Sequence, residues 1–168
     1  MGSSYFYLEF LLVWHTLLKD SGFQNPAIFT LEYTLVPDAS YPTQLQQTLA
    51  GYKHVLSIIR DSSKVCVSGD SAGALLILSL LLHLAHTSDS EKELDDMRPG
   101  MAILISPWVT LVSKKDKNTT SDYLDVDSLY LYAHQYAGKK AAVDDALVSP
   151  GNCKDLQLWK KACPSKGF

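Results

Sequence analysis

The sequence is poor in the features that mark several common classes of protein. Its three cysteines, at positions 66, 153 and 163, are too few and too unevenly spaced for a disulfide framework or a zinc site. A net charge of -3 gives no cationic field, so we expect no nucleic-acid partner. No apolar run reaches the roughly 20 residues of a membrane-spanning helix, and no basic region precedes the apolar stretch near the N-terminus.

The overall composition favours one folded domain with a core. Apolar residues make up 46% of the 168 residues and charged residues 20%, which excludes a disordered chain. The two longest apolar stretches, residues 5–18 and 72–85, are predicted to be buried helices. Cys66 lies in a shorter apolar run and is expected in the core.

Helix and strand patterns alternate along the first two thirds of the chain. Helices are predicted from residue 5 to Gly22 and over residues 45–59 and 72–86, from apolar spacing of three and four. Strands are predicted over residues 27–35, 64–68 and 101–105, and the second reads as buried on both faces. Strands that alternate with helices form a parallel sheet with right-handed crossovers, so the predicted fold class is α/β.

The last third of the chain follows a different pattern. Residues 87–99 are predicted as a polar loop in which the charged run 91–96 is solvated. A polar stretch over residues 113–127 leads to a helix over residues 128–137, and the remaining chain reads as irregular.

One motif carries chemistry: Gly69-Asp70-Ser71-Ala72-Gly73, or Gly-x-Ser-x-Gly. It falls where a predicted strand meets a predicted helix, the context in which this motif forms a sharp turn that exposes a nucleophilic serine. The two glycines are expected to be needed for space. The backbone N–H of Ala72, at the helix N-terminus, is placed to donate to a developing oxyanion.

Three other interpretations of these residues compete with a nucleophilic serine. A trypsin-like protease has Gly-Asp-Ser in an all-β chain with a further glycine after the serine, which does not fit the apolar helix here. A phosphate-binding loop needs a lysine and a serine or threonine after the last glycine, where this chain has Ala74 and Leu75. A glycine-rich turn with an idle serine stays open as the structural alternative.

Several ordered segments resemble the hormone-sensitive-lipase-like branch of the α/β-hydrolases. In this branch the motif is commonly Gly-Asp-Ser-Ala-Gly followed by a further glycine. In this chain Ala74 takes the place of that further glycine. Four more segments are similar to the branch, in the same order: residues 33–38, residues 41–42, residues 104–109 and residues 149–150. The resemblance covers most of the chain.

The resemblance implies a carboxylic ester hydrolase. Ser71 would attack the acyl carbon and form an acyl-enzyme, while a histidine held by a carboxylate takes its proton. Neither a metal nor an organic cofactor is implied, and the partner is a small ester. The alternative function is a non-catalytic relative that binds a small apolar ligand or a protein.

The groups that would activate Ser71 are expected outside this chain. The branch's His-Gly-Gly motif, which supplies further oxyanion donors, is absent, and its acid and base would follow the segment at Ser149-Pro150. We therefore assign neither and expect no useful esterase activity from this chain alone. His134 follows Asp122, Asp125 and Asp127 in a permitted order, but its place in a predicted helix disfavours it.

The predicted organisation is one partial α/β-hydrolase domain over residues 1–168. Residues 1–112 would form core strands and helices, 113–148 a cap-like insertion and 149–168 an irregular C-terminal segment. A strand that the family places between those at residues 29 and 67 is not recognised, so open sheet edges would favour self-association.

Overall fold

The computed structural model describes residues 3–88, 90–121 and 124–166. These residues belong to two compact units, and the division falls after Tyr33. The first unit contains one helix and the chain that follows it. The second contains the sheet and the remaining helices, and it also contains the Gly-x-Ser-x-Gly motif.

Helix α1 of the first unit, Leu8–Asp20, confirms the first predicted helix. It ends where Gly22 adopts a φ of 90° and the N–H of Phe23 donates to the carbonyl of Leu18 over 3.1 Å. The expectation that this helix is buried is wrong, because none of its residues is buried. In the described part of its unit, α1 is accompanied by irregular chain alone, which is too little to enclose a helix.

The strand predicted over residues 27–35 does not form, because no described segment pairs with it. A β-strand exists through its ladder of hydrogen bonds to a neighbour. At Thr34, two side chains supply hydrogen bonds in place of a neighbouring strand. The N–H of Thr34 donates to Gln47 Oε1 over 2.8 Å, and its carbonyl accepts from Gln44 Nε2 over 3.0 Å.

The sheet in the described part of the chain has two parallel strands, β1 (Cys66–Asp70) and β2 (Met101–Ile105). β2 has the predicted bounds. β1 begins two residues later than predicted, since Ser62–Lys64 form a 3-10 turn capped by the Asp61 side chain. The register pairs Asp70 with Ile105, so both strands end at one edge.

The prediction that β1 is buried on both faces is wrong, and so is the core position of Cys66. Val67 is buried, but Cys66 and Ser68 are exposed. Side chains alternate between the faces of a strand, and helix α3 covers one face of this sheet. β1 is therefore buried on one face only.

Helix α3, Ala72–Thr87, is the centre of the second unit and confirms the predicted helix over residues 72–86. It packs against both strands, against α2 (Thr43–Ile59) and against α6 (Leu156–Ala162). Leu80, Leu81 and Leu82 are almost completely buried. Burial around its whole circumference explains why this helix carries so few polar residues.

Helix α2 confirms the helix predicted over residues 45–59 and buries one face. Leu45 and Tyr52 lie in the core, and the Tyr52 hydroxyl donates to the carbonyl of Met97 over 2.5 Å. Helix α5, Val126–Ala137, confirms the helix predicted over residues 128–137 and begins two residues earlier.

Two helices form where irregular chain was predicted. Residues 91–96 are not a solvated loop but belong to α4, Glu91–Met97, whose Leu94 is buried. Its N-terminus is capped by Ser90, which accepts from the N–H of Glu93. In the C-terminal segment, α6 begins at a similar cap, Asp155, whose carboxylate accepts from the N–H groups of Gln157 and Leu158.

None of the helices in the described residues combines the length and the apolar character that crossing a membrane requires.

Candidate active site at the strand-to-helix turn

The Gly-x-Ser-x-Gly motif forms an abrupt turn between β1 and α3. β1 ends at Asp70, α3 begins at Ala72, and Ser71 is the single residue between them. Ser71 has φ 52° and ψ -112°, a backbone conformation that residues other than glycine rarely adopt. Backbone strain of this kind costs about 1–3 kcal/mol and is concentrated at functional sites.

The turn is tight on the side of Gly69 and open on the side of Gly73. A Cβ at Gly69 would lie 2.3 Å from the carbonyl carbon of Gly73, so no side chain fits there. A Cβ at Gly73 would meet nothing within 4 Å. The expectation that both glycines are needed for space therefore holds at Gly69 and is wrong at Gly73.

The backbone of Ser71 is fixed on both sides. Its N–H donates to the carbonyl of Ile105 over 2.9 Å, which extends the β1–β2 ladder by one hydrogen bond. Its carbonyl accepts from the N–H of Leu75 over 3.1 Å and from the N–H of Trp108 over 3.3 Å. These hydrogen bonds hold the strained conformation in place.

The side chain of Ser71 is exposed, and its hydroxyl has no hydrogen-bond partner among the described residues. The N–H of Ala72, at the first position of the 16-residue α3, has no acceptor in the same part of the chain. An exposed hydroxyl beside a free N–H at the positive end of a helix can bind and stabilise a developing negative charge.

Of the residues considered as acid and base, none that the structure describes forms a hydrogen bond with Ser71. His134 is exposed in the last turn of α5 and makes no hydrogen bond to Ser71. Asp125 caps α5, where hydrogen bonds from the Ser128 side chain and backbone lower the pKa of its carboxyl group. Asp122 lies outside the described residues, and Asp127 lies in the first turn of α5.

Metal ligands are not gathered anywhere in the described part of the chain, where no group of three histidine, cysteine or acidic side chains could hold an ion. His83 on α3 is half-buried and lies near Lys53 and His86. Burial lowers its pKa, and the charges of Lys53 and His86 lower it further.

Sequence reasoning missed the segment after β2 as part of this site. Residues 105–108 contact Ser71 through both of its backbone groups, and Ser106 between them has a φ of 43°. Further along, the fully buried Ser149 accepts from the N–H of Leu111 over 3.0 Å. The signal was present, since residues 104–109 and 149–150 are two of the family-like segments.

A separate groove of about 600 Å³ lies in the first unit, and neither Ser71 nor Ala72 lines it. Its walls are mostly apolar, formed by Ser4, Tyr5, Leu8, Leu11, Leu12, His15, Ile28 and Thr30.

Known proteins are similar to this chain in sequence and in fold. A family model described as the alpha/beta hydrolase fold matches residues 22–164. A Schizosaccharomyces pombe protein with the provisional name steryl acetyl hydrolase is 30% identical over 146 residues, which are 83% of this chain and 37% of that protein. An acetyl-hydrolase of Streptomyces hygroscopicus is 28% identical over 66% of this chain and 36% of its own length.

Solved structures of esterases are similar to this chain in fold. An esterase of the bacterial hormone-sensitive lipase family superposes with a TM-score of 0.61 at 27% identity, and a mutant esterase with the same score at 25% identity. Each match covers 71% of this chain and 39% of the other. The chain belongs to the α/β-hydrolase fold family, in its hormone-sensitive-lipase-like branch of esterases and acetyl hydrolases. It spans little more than a third of the length of these two curated relatives.

We expect opposite effects on stability from alanine at the two motif glycines. Gly69→Ala should lower the free energy of unfolding by about 2–3 kcal/mol, because the new methyl group collides with backbone that cannot yield. Gly73→Ala should raise it by about 0.5–1 kcal/mol, because alanine is the better helix former and has open space. Urea unfolding followed by circular dichroism measures both, and equal effects would contradict this geometry.

Relief of the strain at Ser71 should stabilise the chain. Ser71→Gly is expected to raise the free energy of unfolding by about 1 kcal/mol, since glycine adopts a φ of 52° without steric cost. The matched control is Ser68→Gly in β1, where glycine should cost about 0.5–1 kcal/mol. A loss of stability at both positions would show that Ser71 is not strained.

Proposed function

We propose that Ser71 is the nucleophile of a carboxylic ester hydrolase. The observation that carries the proposal is its conformation: an exposed serine, strained at φ 52°, at the junction of a parallel strand and a largely buried helix. A structural turn has no need of a strained serine, because glycine would form it without strain. Strain retained at an exposed polar residue is typical of catalytic positions.

The chemistry follows from the groups around that residue. The Oγ of Ser71 attacks the acyl carbon of the ester, and the N–H of Ala72 donates to the oxyanion of the tetrahedral intermediate. Collapse of the intermediate releases the alcohol and leaves an acyl-enzyme, which water then hydrolyses to the acid. Gly69, Asp70 and Gly73 complete the turn that presents the hydroxyl.

The proposed substrate is a small acetate ester. Two curated relatives carry acetyl hydrolase names, and the net charge of -3 gives no broad cationic field that would select an anionic partner. No metal ion or organic cofactor takes part in the steps above.

We further propose that this chain alone turns over slowly. Among the described residues, no imidazole or carboxylate is hydrogen-bonded to the Ser71 hydroxyl. Removal of the triad residues from a serine hydrolase lowers turnover by about a millionfold, although the oxyanion donors and binding still leave about 10³ to 10⁴ over water. In the described part of the chain, the proposed nucleophile therefore has no base hydrogen-bonded to it.

Imidazole added to the buffer should supply that base. General-base catalysis contributes a factor of about 10² to 10⁴ to the rate. An untethered base is held less well, so we expect it to raise the rate of hydrolysis by about tenfold. We expect hydrolysis of p-nitrophenyl acetate by the 168-residue chain to rise with imidazole concentration beyond the reaction of imidazole itself. Release of p-nitrophenol measures the rate.

Two variants make this experiment decisive. Ser71→Ala should reduce the rate to that of imidazole alone, while Ser68→Ala, an exposed serine in β1, should behave as the parent chain. If Ser71→Ala keeps the full rate at every imidazole concentration, Ser71 is not the nucleophile. The groove of the first unit would then favour the alternative, a non-catalytic protein that binds a small apolar ligand.

Self-association with a second copy is part of the proposed behaviour. Four large apolar side chains of the N-terminal helical region, at helical spacing, are between 52% and 76% exposed: Phe6, Phe10, Val13 and Leu17. Exposed apolar surface of this extent drives association. Sedimentation should show oligomers that Phe10→Glu with Leu17→Glu reduces to monomers, while Glu9→Gln, a change of one charge on α1, does not. A monomeric parent chain would contradict this.

A further inference from the structure

Ser106 is the neighbour of Ser71 at the end of the sheet. The register pairs Asp70 with Ile105, so Ser71 and Ser106 are the residues that directly follow two adjacent parallel strands. Both serines have positive φ, 52° and 43°. Ligands of open α/β sheets bind outside the carboxyl ends of the strands, which is where both residues lie.

The turn formed by residues 105–108 contacts Ser71 from both sides. The carbonyl of Ile105 accepts from the N–H of Ser71, and the N–H of Trp108 donates to the carbonyl of Ser71. Ser106 lies between these two contacts, so its position relative to the nucleophile is fixed by backbone hydrogen bonds. Adjacent strands of a sheet lie about 4.8 Å apart, so a residue so placed can contact a substrate bound at Ser71.

The chain beyond this turn is held firmly. The N–H of Gly151 donates to the carbonyl of Val109 over 2.7 Å, and a Cβ at Gly151 would lie 2.3 Å from Thr110 Oγ1. The buried Ser149 accepts from the N–H of Leu111. Ser106 is therefore attached to a rigid support, which is what a binding group requires.

The hydroxyl of Ser106 is unused within the described part of the protein. Ser106 is exposed, and no described residue forms a hydrogen bond with its side chain. Glycine would adopt a φ of 43° without strain, so the turn by itself gives no reason for a serine. The inference runs from a strained, exposed and unpartnered polar residue to a function at the adjacent site.

We propose that Ser106 is a substrate-binding residue whose hydroxyl donates a hydrogen bond to an oxygen of the ester at Ser71. This inference rests on the proposed function of Ser71. Ser106 forms no covalent bond and keeps its proton throughout, so it affects how tightly the ester is bound and not the bond-making step.

The test is the rate at which an alkyl fluorophosphonate labels the 168-residue chain in the presence of imidazole. Ser71 Oγ forms a bond to phosphorus, fluoride leaves, and the serine proton passes to imidazole. The phosphoryl oxygen of the probe is the acceptor for Ser106. Intact-mass spectrometry at several probe concentrations gives the maximal labelling rate and the concentration of half-maximal rate.

Ser106→Ala should raise the concentration of half-maximal rate by about fivefold, the effect of one lost neutral hydrogen bond, and change the maximal rate by less than about twofold. Ser106→Gly also lacks the hydroxyl but relieves the backbone strain, and it should show the same fivefold change. Agreement of the two variants assigns the effect to the hydroxyl and not to the backbone. A role in shaping the turn would instead change the maximal rate and differ between the two.

Each further outcome decides one of the two proposals. If Ser71→Ala abolishes labelling while Ser106→Ala labels like the parent chain, Ser106 has no binding role and the nucleophile proposal stands. If Ser71→Ala is still labelled, or the parent chain is not labelled at all, the proposed function fails and the role of Ser106 fails with it.

Discussion

The close approach of Gly69 to the backbone of Gly73 is the constraint on which the second unit of this protein depends. A Cβ at Gly69 would lie 2.3 Å from the carbonyl carbon of Gly73, which leaves room for a hydrogen atom and nothing larger. Through this contact β1 reverses into α3 within a single residue. Because α3 packs on both strands and on three other helices, the direction it takes at that turn determines where they can pack.

The same turn gives Ser71 its unusual backbone. A strained conformation persists only when its surroundings determine it more strongly than the strain opposes it. Here α3 holds the carbonyl of Ser71 through Leu75, and the end of β2 holds its N–H. The buried helix is thus both the core of the unit and the support of the candidate site, so packing and proposed function share one set of contacts.

Most elements with a strong local pattern were predictable. The apolar spacing of α2, α3 and α5 and the short apolar run of β2 each gave the correct type of element at nearly the correct bounds. α4 was missed because its charges outnumber its apolar residues, although Ser90 and Glu93 have the spacing of a helix cap. α6, which follows the cap residue Asp155, was missed because a helix of only seven residues is too short to show a clear apolar spacing.

Other features depend on neighbours that no local pattern specifies. The β-branched segment over residues 27–35 has the composition of a strand, but strand formation requires a partner, and none is present in the described part of the chain. Cys66 illustrates the same limit, because its exposure depends on which face of the sheet α3 covers. Likewise, the sequence around Ser106 indicates the end of a strand but not that this strand lies beside β1.

The sequence by itself determined the class of the fold and the position of the strained serine, because glycine spacing, apolar periodicity and the Gly-x-Ser-x-Gly motif act over a few consecutive residues. Only the tertiary structure decided that a side chain is excluded at Gly69 but not at Gly73. It also decided that residues 105–108 bind both backbone groups of Ser71. The first is a close contact within one turn, and the second is a set of hydrogen bonds between segments far apart along the chain. Both depend on how α3 packs, and packing is a property of the folded protein as a whole.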